Sequence, residues 1–256
     1  MDFNTGPALL AIALGGLGLL AGSFLGLVSL RLPRGEGFVG GRSRCRGCDR
    51  PLDPWRLIPV LSYAVSRGRC AACGAAIPIR YPAMELAGAA IGLCAALTQP
   101  SILAALLTAL LGWQLLLIAV VDGEHFWLPD QLTLPLLGTG ILAAAVLDRL
   151  SVAGALTGAG VGLAGLWLVG RAYRRIRGRE GLGGGDPFLL AAGGAWTGWT
   201  GLPSVLLWAA LGGLSVVAAR LLTGGRISGS DRLPFGVFLA LGVWLTWLLG
   251  PLGLPR

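Results

Sequence analysis

Six stretches of this chain carry no charged side chain: Phe3 to Leu30, Leu86 to Val121, Gln131 to Leu147, Leu150 to Gly170, Pro187 to Ala219 and Leu233 to Pro255. A helix that crosses a bilayer needs about 20 apolar residues, with a range of roughly 17 to 25. Two of the stretches, Leu86 to Val121 and Pro187 to Ala219, exceed one crossing and must fold back on themselves. Helix breakers sit where such hairpins need them, in TQPS at Thr98 to Ser101 and TGWTGLPS at Thr197 to Ser204. The pattern predicts an all-α protein, a polytopic membrane helical bundle of about eight transmembrane helices. The first arm of the last pair, from Pro187 to near Trp199, is short enough to be re-entrant instead.

Charge arbitrates between these topologies. With eight spans and an external N-terminus, one side carries the ten Arg between Arg31 and Arg80, the five between Arg171 and Arg179, and Arg220, Arg226 and Arg232. The other side keeps Arg149 and Arg256. This positive-inside bias favours eight spans with both termini outside, because demoting the short arm would move three Arg outward. All 20 basic residues are Arg, and the net charge of +8 follows from this topology. It points to anionic lipid headgroups as neighbours and not to nucleic acid. Composition agrees: 55% hydrophobic and 12% charged residues, with a mean hydropathy of +0.76, exclude an ordinary soluble domain. The first apolar segment lacks a basic leader region and is long enough to span, so it reads as a helix and not as a signal peptide. The expected organisation is a first helix over residues 1–30, a cytosolic insert over 31–80 and a membrane bundle over 81–256.

The insert is rich in Arg, Gly and Pro and holds four of the five Cys. Cys45 with Cys48 and Cys70 with Cys73 form two CxxC pairs separated by 21 residues. Each pair can form a knuckle that offers two thiolates to one tetrahedral ion, so the spacing predicts a structural zinc site with no open position for substrate. Gly47 and Gly74 are expected to supply backbone freedom in the knuckles, and Arg44, Arg46 and Arg69 to favour thiolate over thiol. A pair of disulfides is the competing reading, disfavoured by a cytosolic location. A segment this short and polar cannot build much of a core, which gives a metal staple its physical reason. Cys94 lies within the second span and reads as a small core residue.

Asp122 closes the third span and Asp186 opens the sixth, so both carboxylates fall at the same level of the membrane, at its cytosolic edge. An ionisable group there is costly enough to suggest function. The dipole of its own helix disfavours a carboxylate at Asp122 and favours one at Asp186, which makes Asp122 the expected carrier of a shared proton. Such a pair can hold one proton, one member acting as base on a water and the other as acid toward a carbonyl. The alternative for Asp186, followed by Pro187, is a helix N-cap. A cap does not account for Gly181, Gly183, Gly184 and Gly185, which clear side chains from the approach and suit an extended substrate backbone, although a flexible linker would also be glycine-rich. Asp130 reads as a cap for the fourth span. Glu124 and His125 share the loop after Asp122, and His125, the only His, reads as a solvated interfacial residue.

These residues resemble the bacterial type IV prepilin peptidases, a family of GxGD membrane aspartic proteases that combine a leader peptidase with an N-methyltransferase. The likeness runs through GSFLGLVSLRLP at Gly22 to Pro33, the double CxxC around IPVLSY at Ile58 to Tyr63, and RYPAMELAG at Arg80 to Gly88. It continues through VDGEHFWLPD, GLGGGD and LPFGVFLALG at Leu233 to Gly242. The resemblance implies that Asp122 and Asp186 are catalytic aspartates. It implies substrates that are prepilins or pseudopilins, cut at the cytosolic face of the bacterial inner membrane, with S-adenosylmethionine then methylating the new N-terminus. Three positions depart from the family pattern: Gly26 and Leu57 stand where Asn is usual, and Phe188 where Lys is usual. A proton-coupled transporter using the paired Asp, or an inactive scaffold that anchors the zinc-bearing insert to secretion machinery, are the alternative readings.

Overall fold

The computed structural model describes residues 5–37, 43–45, 47–224 and 233–252. Arg46, Arg226, Arg232 and Arg256, which entered the readings above, lie outside the described residues. The described residues form helices and two isolated bridges, with no strand. The helices are α1 (Thr5–Arg31), α2 (Leu61–Val65), α3 (Arg80–Thr98), α4 (Ile102–His125), α5 (Asp130–Val146), α6 (Val152–Arg177), α7 (Asp186–Thr197), α8 (Leu202–Leu222) and α9 (Phe235–Leu249). All but the short α2 fall on the expected spans. Both breakers act as read: α3 stops at Thr98 and α4 starts at Ile102, while α7 stops at Thr197 and α8 starts at Leu202. Five helices, α1, α3, α4, α6 and α8, are long and apolar enough to cross a membrane, and α5 and α9 are shorter apolar helices. The chain is a multi-pass membrane protein built as a helical bundle.

The chain divides into two compact units, Met1–Trp113 and Gln114–Arg256. In the first, α1 lies against α3 through two Gly-x-x-x-Gly pairs, Gly18 with Gly22 and Gly88 with Gly92. A side chain at Gly18 would overlap the carbonyl of Gly88, one at Gly22 that of Met84, and one at Gly92 that of Leu14. Without a hydrophobic drive between helices in lipid, such backbone approach is what lets them pack. Trp113 adds a hydrogen bond, its Nε1–H donating to the Gly88 carbonyl at 2.9 Å.

In the second unit, α7 is the central element. It packs against α5, α6 and α9, and ten of its residues are buried, from Asp186 and Pro187 to Trp196. Gly158 of α6 and Gly194 of α7 each face the other's carbonyl at a distance no side chain would allow, and Gly162 sits in the same way on Leu190. Trp196 anchors the other side: its Nε1–H donates to the Leu136 carbonyl of α5 at 3.0 Å, and its ring meets Trp247 of α9 edge-on at 5.1 Å. At 12 residues α7 rises about 18 Å, short of the roughly 30 Å hydrocarbon core, so its apolar character answers to protein neighbours. α6 is capped by Ser151, whose Oγ accepts from the Gly154 N–H at 3.0 Å, and ends at Gly178 in the left-handed conformation with φ +67°.

Candidate active site and metal centre

Asp122 lies in the last turn of α4, which continues to His125, and is 5% exposed; Asp186 is the first residue of α7 and 3% exposed. Both belong to the second unit and are close enough for the charge of one to act on the other. Each carboxylate is held by a backbone amide through its Oδ2. Asp186 accepts from the Gly183 N–H at 2.9 Å, a bond that closes the glycine-rich turn onto the start of the helix. The N-cap position is Gly185, and the Asp186 side chain points back to Gly183 instead of capping the helix ahead of it. Asp122 accepts from the Val237 N–H at 3.1 Å, at the N-terminus of α9, 115 residues away. The dipole contrast drawn from the chain order is therefore absent: α9 brings its positive end to Asp122, as α7 does to Asp186.

Two residues that sequence reading assigned no role join the aspartates. A side chain on Gly236 would lie 2.8 Å from Asp122 Oδ2 and 2.7 Å from Leu128 Cδ1; one on Gly185 would lie 2.5 Å from Leu128 Cβ. Leu128 thus packs on both glycines that flank the carboxylates. The only sequence signals were the LPD and LPFG segments, which carry no charge or metal-ligating group to draw attention. Of the four glycines before Asp186, Gly181 packs on the Tyr173 ring and Gly183 on the Asp186 carboxylate, while Gly184 has open space around it. Asp130 is the first helical residue of α5, with Pro129 at the cap position and no side-chain capping bond, so its expected capping role is not realised. His125 stands beside Glu124, 3.9 Å apart and both partly exposed. Phe188, one half-turn beyond Asp186, is 43% exposed.

In the first unit the four Cys of the insert converge. Their sulfurs lie within 4.8 Å of one another, and Cys45 Sγ is 3.8 Å from Cys73 Sγ. Sulfurs bound at about 2.3 Å to a tetrahedral zinc sit about 3.8 Å apart, so the set fits the metal. All are free thiols, which removes the disulfide reading. The knuckles are copies of one another 25 residues apart. Cys45 N–H donates to the Arg50 carbonyl and Asp49 N–H to that of Cys45; Cys70 N–H donates to Ala75 and Gly74 N–H to Cys70. Arg44 bridges Pro51 as Arg69 bridges Ala76. The left-handed residue falls just after the second Cys of each pair, at Asp49 (φ +53°) and Gly74 (φ +71°). Gly74 therefore acts as expected but Gly47 does not: its lack of a side chain admits Ala75, whose Cβ would lie 2.8 Å from a Cβ there.

Among the described residues, backbone amides and neighbouring thiols, and not Arg44 or Arg69, act on Cys70 and Cys73. The amides of Cys73 and Ala72, with the Cys45 side chain, hold Cys70 down to about 6. Cys73 is pushed up to about 11, because the Ala75 amide that lowers it is outweighed by the neighbouring Cys48, Cys70 and Cys45 thiols and by desolvation. Arg44 is spent on Asp49 at 3.2 Å.

Comparison with known proteins adds the following. Residues 17–99 match the bacterial peptidase A24 N-terminal domain, and residues 109–218 match the type IV leader peptidase family. A prepilin leader peptidase/N-methyltransferase of Aeromonas hydrophila is 39% identical over 209 residues, covering 82% of this chain and 72% of its own. Proteins of the same description from Stutzerimonas stutzeri and Pseudomonas aeruginosa are 36% and 37% identical, each over 91% of this chain and 89% and 88% of their own. No solved structure matches the chain.

Proposed function

The chain belongs to the type IV leader peptidase family, and on that premise we propose that it removes the leader of prepilins or pseudopilins with Asp122 and Asp186 as its catalytic pair. What supports the assignment is that two buried carboxylates from different helices meet in one unit, each held by a backbone amide through one oxygen. In the proposed reaction one carboxylate accepts a proton from a water that attacks the scissile carbonyl and then passes that proton to the leaving amine, while the other, protonated at the start, donates to the carbonyl oxygen and recovers the proton as the tetrahedral intermediate collapses. The amides of Gly183 and Val237 fix the orientation of both groups, so little reorganisation is needed at the moment of reaction. Gly184 offers the substrate backbone a close approach. The site is placed at the cytosolic face of the inner membrane, where a basic leader passes into an apolar span.

The four thiolates of Cys45, Cys48, Cys70 and Cys73 would hold zinc, which supplies folding free energy to the insert and no chemistry. Among the described residues there is no strand, and the glycine-rich runs do not form the strand–turn–helix cradle that commonly holds a nucleotide. We extend the reading to N-methylation as a separate activity, to be assayed separately because Gly26, Leu57 and Phe188 depart from the family pattern.

Incubation of the purified chain with a prepilin tests the reading. Asp122→Asn and Asp186→Asn should each lower leader removal by about 10²- to 10⁴-fold, with zinc content unchanged. Cleavage that survives in either variant, or a wild-type chain that cuts no class of prepilin, would leave the transporter and scaffold readings ahead.

A further inference from the structure

The first unit holds a cavity of about 880 Å³ where α1 ends and α3 begins, open on one side. Its apolar wall is built by Leu27 and Leu30 of α1 together with Trp55 and Leu61 of the insert. Five arginines, Arg31, Arg34, Arg44, Arg56 and Arg69, also line it against two carboxylates, Glu36 and Glu85. Arg31 donates to the Gly37 carbonyl and Arg56 pairs with Asp53 at 3.5 Å, whereas the side chains of Arg34 and Arg69 make no hydrogen bond or ion pair with the described residues.

This cavity is fixed in place by a strained tie. Glu85 of α3, 7% exposed, accepts the Val60 N–H at 2.7 Å. Val60 has φ +61° and ψ −48°, and the Leu61 N–H closes a γ-turn onto the Pro59 carbonyl. A β-branched residue is rarely found there, and surrounding contacts must offset the strain. A carboxylate on a membrane helix is thus used to hold the apolar segment of the insert beside the end of α1. Trp55 and Val65 nevertheless stay 69% and 78% exposed, more apolar surface than a short polar insert would leave open to water.

An apolar wall continuous with a spanning helix, with Arg34 one turn beyond Leu30 and Arg69 lining the same cavity, complements an amphiphile with a negative head. We propose that the cavity binds one anionic phospholipid, with its acyl chains along Leu27, Leu30 and Leu61 and its phosphate at Arg34 and Arg69. A free phosphate would use the arginines but leave the wall uncovered, so the lipid is the occupant the lining selects.

Native mass spectrometry of the full chain in detergent, offered equal amounts of phosphatidylglycerol and phosphatidylcholine, tests this. One phosphatidylglycerol should be retained in preference and should resist excess inorganic phosphate. The Arg34→Gln, Arg69→Gln double variant should lose roughly 25-fold in that affinity, at about five-fold per arginine. Equal retention of the two lipids, displacement by phosphate alone, or an unaltered double variant overturns the proposal. Should the double variant not fold, the preference of the wild-type chain between the two lipids decides. No readout involves peptide cleavage, so failure here leaves the leader-peptidase reading standing.

Discussion

Gly184 and Gly185 are neighbours in sequence with opposite tolerances. Gly184→Ala places its methyl in open space and should leave the melting temperature unchanged while raising KM for a prepilin. Gly185→Ala drives its Cβ into Leu128 and should lower kcat and stability together, by about 1–3 kcal/mol in stability. Kinetics and thermal unfolding of the two variants check this. A second test concerns the thiols. Cys70, held to about 6, is largely thiolate at pH 7 in metal-stripped protein, whereas Cys73, near 11, is not. Iodoacetamide should therefore label Cys70 first, with labelling falling as pH drops through 6, and bound zinc should protect all four. Because the folded value of Cys70 lies below the ordinary 9.0, its stabilising contribution is present above pH 9 and lost on acidification through 6. The Cys cluster and the helix start at Asp186 were legible in sequence because their signals are local: two CxxC pairs, and a glycine run followed by Asp-Pro. The partner of Asp122 was not, since Val237 lies 115 residues away and offers only a backbone amide. Gly47 was misread because a knuckle needs its left-handed residue after the second Cys, where the first copy uses Asp49.

At the scale of elements, helix breaks were readable and helix environments were not. TQPS and TGWTGLPS mark real ends because Pro and Gly interrupt the backbone ladder whatever surrounds them. A charge-free run, by contrast, looks the same whether lipid or protein surrounds it, so nothing in Pro187 to Trp199 announced that α7 would be enclosed by α5, α6 and α9. The small residues along it were the available clue. Gly158→Leu or Gly194→Leu should separate α6 from α7, since the added side chain meets backbone that cannot rotate away. Leader removal should be lost and thermal stability lowered, whereas Gly160→Leu, on open surface of the same helix, should alter neither. Parallel cleavage assays and melting curves distinguish the two sites.

For the whole molecule, the hydrophobic pattern gave the order and bounds of the apolar helices, and the family likeness extends over both units. What a linear reading could not give was a hierarchy among the helices, in which one that does not reach across the bilayer sits at the centre of its unit and carries the buried Asp186. That arrangement has a consequence for biosynthesis. A 12-residue apolar segment is too short to be recognised as a membrane span by itself. As the chain emerges from the ribosome, α7 should wait at the membrane surface until α8 follows and the two enter as one hairpin. A nascent chain ended at Gly201 should leave the segment 186–197 open to protease, and one extended past Leu222 should protect it. Asp186 would then meet Asp122 only after most of the protein has been made, so no shortened translation product carries an assembled protease into the membrane.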